Sequence, residues 1–368
     1  MRLGIDARLA FQTGVGVHIR NLLINLQSLL PDAWQVFIFS RPGDIGKLRT
    51  IMNTTDNISF IPADAQWHSF SEQTKFLVQL YQTKLDLMHF TYFSYPVLYK
   101  KKFIITLHDL IPYDFKTGKA STKNFFIYEA KHRIYKYLIR QAVFNSEHIF
   151  TPSRTVANDI VAKFKVKRSK ITIVYGGVDK ELLEVLNNIE AKSKNYFLYV
   201  GNFYPHKNVR FLIDSFLSAK ISDKLYLVGP DDFFSAKIKT SYAKEILKGR
   251  LVFKHNLSVK QLALLYKQAK ALVFPSLAEG FGLPVIEAFS ADVPVIASDI
   301  KVFKELFGSS IFYFNPKNKN DLANILRTFD KIDNSLVTKK LSKAKKLLTK
   351  YSFANLAKKV VNIYKKVI

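Results

Sequence analysis

No cysteine occurs among the 368 residues. Structural disulfides, thiolate zinc sites, iron–sulfur clusters and a cysteine nucleophile are therefore excluded. Acid is scarce too: 29 Asp and Glu stand against 56 Lys and Arg, a formal charge of +27. Such an imbalance speaks of company rather than fold, and the company is polyanionic: phosphorylated substrate, anionic lipid or nucleic acid. The excess is mainly lysine, which suits diffuse attraction to phosphate better than bidentate reading of bases. No nucleic-acid reader motif accompanies it, so no nucleic-acid partner is expected. No apolar run is long enough to span a bilayer. The start, Met1-Arg2-Leu3-Gly4-Ile5-Asp6-Ala7, lacks the apolar core and cleavage site of a signal peptide. The expectation is a cytoplasmic chain, peripheral on the inner face of the membrane. Asp-x-Asp is missing and the histidines show no metal-ligand spacing, so neither metal nor other cofactor is expected.

The length suits two domains, and a hydrophobic content of 48% argues against disorder. Short β-branched and aromatic runs alternate with helical patterns, the signature of parallel α/β layers. Strands are expected near Leu3–Ala7, Gln35–Phe39, Ile58–Ile61, Leu87–Phe90, Phe103–Leu107, His148–Thr151 and Ile171–Val174. A second series runs through Tyr196–Val200, Leu225–Val228, Arg250–Phe253, Ala271–Phe274, Val295–Ala297 and Ile311–Phe314. Between them, Gly176-Gly177-Val178-Asp179 and the polar stretch to Lys194 mark a boundary. The fold class is α/β: two Rossmann-like doubly wound domains, 1–174 and 175–351, facing a central cleft.

Two segments are strongly basic. Thr122–Ala142 reads as a helix with Ile127, Ala130, Ile134 and Leu138 on its core face, Arg133, Lys136 and Arg140 opposite, and Phe125, Tyr128 and Tyr135 to one side. It suits an anionic membrane surface. Asn334–Ile368 carries lysines but no acid, and Leu341, Ala344 and Leu348 alternate with Lys339, Lys343, Lys346 and Lys350; this reads as lysine-coated packing helices.

Four runs carry chemistry. Glu279-Gly280-Phe281-Gly282-Leu283-Pro284 through Glu287 follows a strand and opens a helix near Pro284. Its glycines let the backbone approach a ligand, and free N–H groups at the helix start face an anion. Glu279 sits before the helix and Glu287 within its first turn; both are suited to accept hydrogen bonds from sugar and ribose hydroxyls. The bland alternative is a glycine turn with a glutamate complementing the macrodipole. Asn202 through Lys207 lies past a strand end, where Lys207 is placed to neutralise a diphosphate. Gly14-Val15-Gly16 is half of a dinucleotide fingerprint, but Ile19 occupies the third glycine position, which excludes a nicotinamide or flavin reading. Either it brings the backbone to a phosphate or sugar, or it is an ordinary tight turn. His108-Asp109 stands at another strand end: His108 suits a sugar hydrogen bond, Asp109 an acceptor hydroxyl or a helix entry.

Together these runs resemble the family-4 retaining glycosyltransferases of the two-Rossmann GT-B architecture. Supporting pieces are Gly4-Ile5-Asp6-Ala7-Arg8, Ser71-Glu72-Gln73, Lys207-Asn208, Tyr351-Ser352-Phe353 and His108-Asp109-Leu110-Ile111-Pro112, the last resembling a bacterial subset rich in mannosyltransferases. The resemblance implies that the second domain binds a nucleotide-sugar, GDP-mannose being favoured over a UDP-sugar, and that the acceptor is a lipid-linked or lipopolysaccharide-type surface glycan. Glu287 holds the ribose, Glu279 meets the transferred sugar, and the amides of Phe281, Gly282 and Leu283 with Lys207 meet the phosphates. Gly14, Gly16 and His108 close the site, and the last helix, 352–368, completes the first domain. Many relatives carry an arginine before the lysine; this chain has Asn202 and His206, which shifts charge neutralisation onto Lys207. Remaining alternatives are a GT-B nucleotide-sugar epimerase or hydrolase and, from another class, a basic nucleic-acid-binding protein.

Overall fold

A computed structural model describes residues 1–12, 14–52, 55–114 and 125–367, with side chains except those of 125–131. Among them thirteen strands form two sheets, all parallel. The first holds β1 (Arg2–Asp6), β2 (Gln35–Ser40), β3 (Ile58–Pro62), β4 (Leu87–Phe90), β5 (Phe103–Thr106), β6 (His148–Thr151) and β7 (Ile171–Ile173), in the order β3-β2-β1-β4-β5-β6-β7. The second holds β8 (Tyr196–Val200), β9 (Lys224–Val228), β10 (Leu251–Lys254), β11 (Ala271–Phe274), β12 (Val295–Ser298) and β13 (Phe312–Phe314), in the order β10-β9-β8-β11-β12-β13. Each expected strand lies within a residue or two of an observed one. Every residue of β4, β5 and β11 is buried because helices cover both faces of a parallel sheet.

The chain divides into two compact units. One takes the described residues up to Gly176 together with the segment from Ser352 onward; the other is Gly177–Tyr351. The lysine-rich tail is thus two helices in two units, broken at Tyr351-Ser352. Asn334–Lys350 belongs to unit 2, buries Ala344 and exposes Lys339, Lys343, Lys346 and Lys350. Phe353–Val367 buries Phe353, Leu356, Ala357, Val360, Val361 and Tyr364 in the core of unit 1, beside Leu3, Ile5, Ile19, Leu22 and Phe150. Spacings of three and four put those side chains on one stripe.

One helical face differs from expectation. The helix Phe125–Asn145 buries His132, Leu138, Ile139, Ala142 and Val143, while Ile134 is 54% exposed. The buried arc is centred beyond Leu138, so Ile134 falls outside it and shares the opposite face with exposed Arg133, Tyr137, Arg140 and Phe144. The helix start at Thr122 lies outside the described residues, as do the side chains of Phe125, Ile127, Tyr128 and Ala130.

Both tryptophans, Trp34 and Trp67, lie in unit 1, so their fluorescence reports that unit alone. Leu356→Ala opens a cavity in its core and is expected to lower the stability of unit 1 by about 2–5 kcal/mol. Urea unfolding followed by tryptophan emission checks this.

Candidate functional site

Each sheet reverses its strand order once, between β1 and β4 and between β8 and β11. Neighbouring crossovers diverge there and leave a crevice outside the carboxyl ends, where ligands of doubly wound sheets bind. In unit 2 the residues singled out from the sequence gather at this place.

Past β8 the chain makes a short 3-10 turn, Pro205–Lys207; past β11 it runs through Ser276 to Gly282. The Leu277 N–H donates to the His206 carbonyl at 2.7 Å and ties the two loops together. Beside that tie Lys207 Nζ donates to Glu279 Oε1 at 2.5 Å, and the Ser276 hydroxyl donates to the same oxygen at 2.7 Å. The two charged side chains are only 13% and 9% exposed, which separates Lys207 from the solvated lysines that cover this protein. Its ammonium also sits 5.6 Å from the centre of the Phe274 ring. His206 adds no charge: burial, then the neighbouring Lys207, lowers its pKa to about 4 although Glu279 works the other way. Asn202 serves the turn, accepting from the Tyr204 N–H at 3.3 Å through its side chain.

The helix Leu283–Ser290 opens with Gly282 as its N-cap at φ 100°, and no side chain caps it. Pro284 has no N–H and the Val285 N–H turns back to the Gly282 carbonyl at 3.0 Å, so of the first turn the Leu283 N–H is the one that can face a ligand. The positive φ requires glycine, and a Cβ there would stand 3.1 Å from Phe303. Gly280 is buried, and Phe281 turns its ring edge-on to Tyr351 at 5.4 Å, so the loop is fixed by packing. The helix starts at Leu283, so Glu287 lies in the second turn and not the first. The macrodipole reading falls with that. Glu287 is buried and accepts from the Tyr266 hydroxyl at 2.6 Å. Burial pushes its pKa up to about 7; Tyr266 opposes the shift and Asp179 adds to it. Tyr266 escaped the sequence reading because it sits 21 positions away on a different helix. A groove of about 970 Å³ in unit 2, lined by Lys192, Ala269, Val293 and Phe329, lies at the amino ends of the strands and touches none of these residues.

In unit 1 the first-sheet crevice is stitched across three strands. The Thr91 hydroxyl donates to the Asp6 carbonyl at 2.6 Å, and His108 Nε2 lies 3.0 Å from the Thr91 carbonyl. A carbonyl only accepts, so Nε2 carries the hydrogen and Nδ1 holds a lone pair. Burial lowers the His108 pKa to about 4 despite that bond, which leaves a neutral imidazole that accepts from a hydroxyl. His18 packs edge-on against it at 4.7 Å. Asp109 takes the structural role: its Oδ1 accepts from the Ile111 N–H at 2.8 Å and starts the helix Ile111–Asp114. Gly14 has φ 67° at the N-cap of Val15–Leu26, with open space around it. Gly16 is spent on packing: a Cβ would meet the Ala10 carbonyl at 2.5 Å. Thr13 lies outside the described residues.

Two runs quoted for the resemblance meet here, and the sequence alone did not join them. Arg8 donates to Asp6 at 2.7 Å and to Glu72 at 2.8 Å, all three buried, with its guanidinium carbon 3.9 Å from the centre of the Phe76 ring. Burial works against the Arg8 charge, but Asp6 and Glu72 outweigh it and hold its pKa above the ordinary range.

The sequence model described as "Glycosyl transferases group 1" matches residues 185–346, and that described as "Glycosyltransferase Family 4" matches residues 12–182. The O-antigen chain mannosyltransferase RfbU of Salmonella typhimurium is 29% identical over 80% of this chain and 78% of its own. Among solved structures, sucrose-phosphate synthase from Thermosynechococcus elongatus superposes with a TM-score of 0.74 at 18% identity, covering 100% of this chain and 99% of that one. Anabaena Alr3699/HepE in complex with UDP and glucose gives 0.74 at 16% identity over all of both chains. At such identities the structures speak for the fold alone, two Rossmann-like domains of the GT-B kind.

Glu287 yields a stability prediction. Its carboxyl holds a proton to about pH 7 in the fold against 4.5 unfolded, so stability is full below pH 4.5, falls as pH rises to 7, and stays reduced above. Glu287→Gln is expected to stabilise unit 2 by about 1–3 kcal/mol at pH 8 and to leave it unchanged at pH 4. Urea unfolding at both pH values, followed by far-UV circular dichroism, measures it.

Proposed function

Because the chain belongs to the family-4 glycosyltransferases, we propose that it moves a mannosyl group from GDP-mannose, with retention of configuration, to a lipid-linked or O-antigen-type surface glycan. The observation that carries the donor site is the buried Lys207–Glu279 pair beside the uncapped helix start. The mannosyl and O-antigen choices rest on the likeness to RfbU together with the His108–Pro112 run.

Transfer breaks the bond from the anomeric carbon to the diphosphate oxygen and forms one to the acceptor oxygen on the same face. The acceptor hydroxyl's proton leaves with the departing diphosphate, so charges balance without a metal. The new charge on that diphosphate is met by Lys207 and the N–H groups at Phe281–Leu283, already in place and shielded from water. Diphosphate competes with Glu279 for Lys207, and the Glu279 oxygens so released accept from sugar hydroxyls. Glu287, as carboxylate, accepts from the two ribose hydroxyls; donor affinity therefore rises as pH climbs through about 7 and levels off above.

Membrane contact belongs to the same proposal. Among the described residues no helix is long and apolar enough to cross a membrane. The exposed face Arg133, Ile134, Tyr137, Arg140 and Phe144 pairs cations with apolar and aromatic groups, and the Arg140 guanidinium lies 5.3 Å from the centre of the Phe144 ring. That composition suits an anionic headgroup layer, at about 1 kcal/mol per basic residue.

Calorimetric titration with GDP and UDP, without added metal, tests the donor. GDP is expected to bind selectively; selective UDP binding would move the donor to a UDP-sugar, and binding of neither would sink the donor site. Lys207→Ala is expected to lower the transfer rate by about 10²–10³, measured by nucleotide release in the presence of acceptor. Co-sedimentation with vesicles containing phosphatidylglycerol is expected for the wild type and to weaken about tenfold or more when Arg133 and Arg140 are both changed to Glu. Equal binding of the two proteins would remove this face from the membrane reading.

A further inference from the structure

His68 has no place in the site described above, yet its setting is tightly constrained. It follows β3 and takes φ 59°, a left-handed conformation that is uncommon outside glycine. Residues held this way cluster where a structure positions a functional side chain. The chain then enters a π-helical turn, Glu72–Phe76, itself a rare element found most often at functional sites.

What fixes the strained peptide is the buried charge cluster. Glu72 Oε1 accepts from Arg8, and Oε2 accepts from the His68 N–H at 3.0 Å and from the Ser94 hydroxyl at 2.6 Å. Arg8 also donates to the Ala65 carbonyl at 3.0 Å, fastening the same loop three residues earlier. Asp6 ends β1 and Ser94 lies just past β4, so these anchors tie Glu72, on the turn after β3, to the carboxyl ends of those two strands. The imidazole stacks on Phe93 at 5.1 Å, and the rings of Tyr135 and Tyr92 lie 4.8 and 6.0 Å away. His68, Tyr92 and Tyr135 are each half-buried, and Trp67 beside them is too.

The two ring nitrogens differ. Nδ1 is buried with no hydrogen-bond partner. Leaving an N–H in that position costs more than leaving a lone pair, so the hydrogen resides on Nε2, the nitrogen not sealed in. Burial, with Arg8 adding to it, lowers the pKa to about 4. At neutral pH the group is therefore a donor without charge.

We infer that His68 donates a hydrogen bond from Nε2 to a hydroxyl oxygen of the acceptor sugar, with Tyr92 and Tyr135 as the wall against which the sugar ring lies. Asp6, Arg8 and Glu72 are positioning residues that act through His68. A flat, half-buried aromatic wall beside a single neutral donor fits a sugar, which presents C–H groups on a face and hydroxyls at its rim. It fits a phosphate poorly, since that would ask for charge. The inference rests on the chain transferring a sugar to a glycan.

The experiment uses octyl α-mannoside as acceptor probe, below its micelle concentration, on the full chain in the presence of GDP. Saturation-transfer NMR is expected to show the mannose ring protons in contact with the wild type. His68→Phe keeps a ring and removes the donor; mannoside affinity is expected to fall roughly three- to tenfold. His68→Asn tolerates the left-handed backbone and restores an N–H, so its affinity is expected within about twofold of wild type. Tyr135→Leu leaves that backbone untouched and is expected to weaken mannoside binding comparably. GDP affinity by calorimetry is expected to be the same in all four proteins, which a general loss of structure would not allow. Unchanged mannoside binding in both His68→Phe and Tyr135→Leu overturns the inference. So does a wild type that binds GDP but gives no saturation transfer. A wild type that binds no nucleotide at all overturns the donor-site reading first, and this inference with it.

Discussion

Thirteen parallel strands in two sheets impose one constraint on everything else. Parallel strands need crossovers, the crossovers are right-handed, and a sheet that grows outward in both directions from its first strand must reverse once. Both sheets do so beside that first strand, at β1/β4 and at β8/β11. The carboxyl ends at those two places are where the chain has its non-repetitive business: the Lys207 turn and Glu279 loop in one unit, Asp6, Thr91 and Ser94 in the other. Gly14, Gly282 and the proline of Leu283-Pro284 serve the same end, because each lets a loop turn sharply from strand to helix at that edge.

Charge then separates into two kinds. Most of the +27 is solvated lysine, as on Asn334–Lys350, where it governs what the surface attracts and says little of the fold. A small remainder is largely withdrawn from water and paired, as Arg8 is with Asp6 and Glu72 and Lys207 with Glu279. Taking such groups out of water costs several kcal/mol each, so stability alone does not account for them. In both units the paired charge instead fixes a loop at the crevice, one carrying His68 and the other carrying the cation itself.

The strands were legible because buried parallel strands read as nearly continuous apolar runs between turns, β11 as Ala-Leu-Val-Phe and β4 as Leu-Met-His-Phe, broken only by His89. The residues that gather past β8 and β11 were legible as a group because glycine, proline and two glutamates recur at short spacing. Less visible were contacts between distant segments. Nothing in the sequence links Arg8 to Glu72, 64 positions apart, or Tyr266 to Glu287 on the next helix. Ile134 was misplaced for a different reason: with aromatic and basic residues interleaved all round Phe125–Asn145, apolar spacing alone does not choose the centre of the buried arc. For Asp109 and Gly16 the sequence left a ligand role and a structural role open, because a capping carboxylate and a packing glycine carry the same local signature as a binding one; the structure shows the structural contacts of both.

Neutral imidazoles complete the logic. His18, His68, His89, His108 and His206 all have depressed pKa values, burial being the first cause in every case. Hydrogen bonds then give individual rings a fixed sense: the Thr91 carbonyl holds the His108 hydrogen on Nε2, leaving a lone pair on Nδ1, and His89 is spanned by Tyr364 and Thr106. Protonating any of them would add a cation to a chain already rich in them, and it would scatter the attraction for an anion over several points. In unit 2, where His206 is kept neutral, the charge beside the uncapped helix start is that of the largely buried Lys207. His206, adjacent to it, is held neutral partly by Lys207 itself. Glu279 and Ser276 hold the Lys207 ammonium at one defined place at the carboxyl end of the second sheet, so the transfer proposed above would draw on an ordering that is present before any ligand arrives.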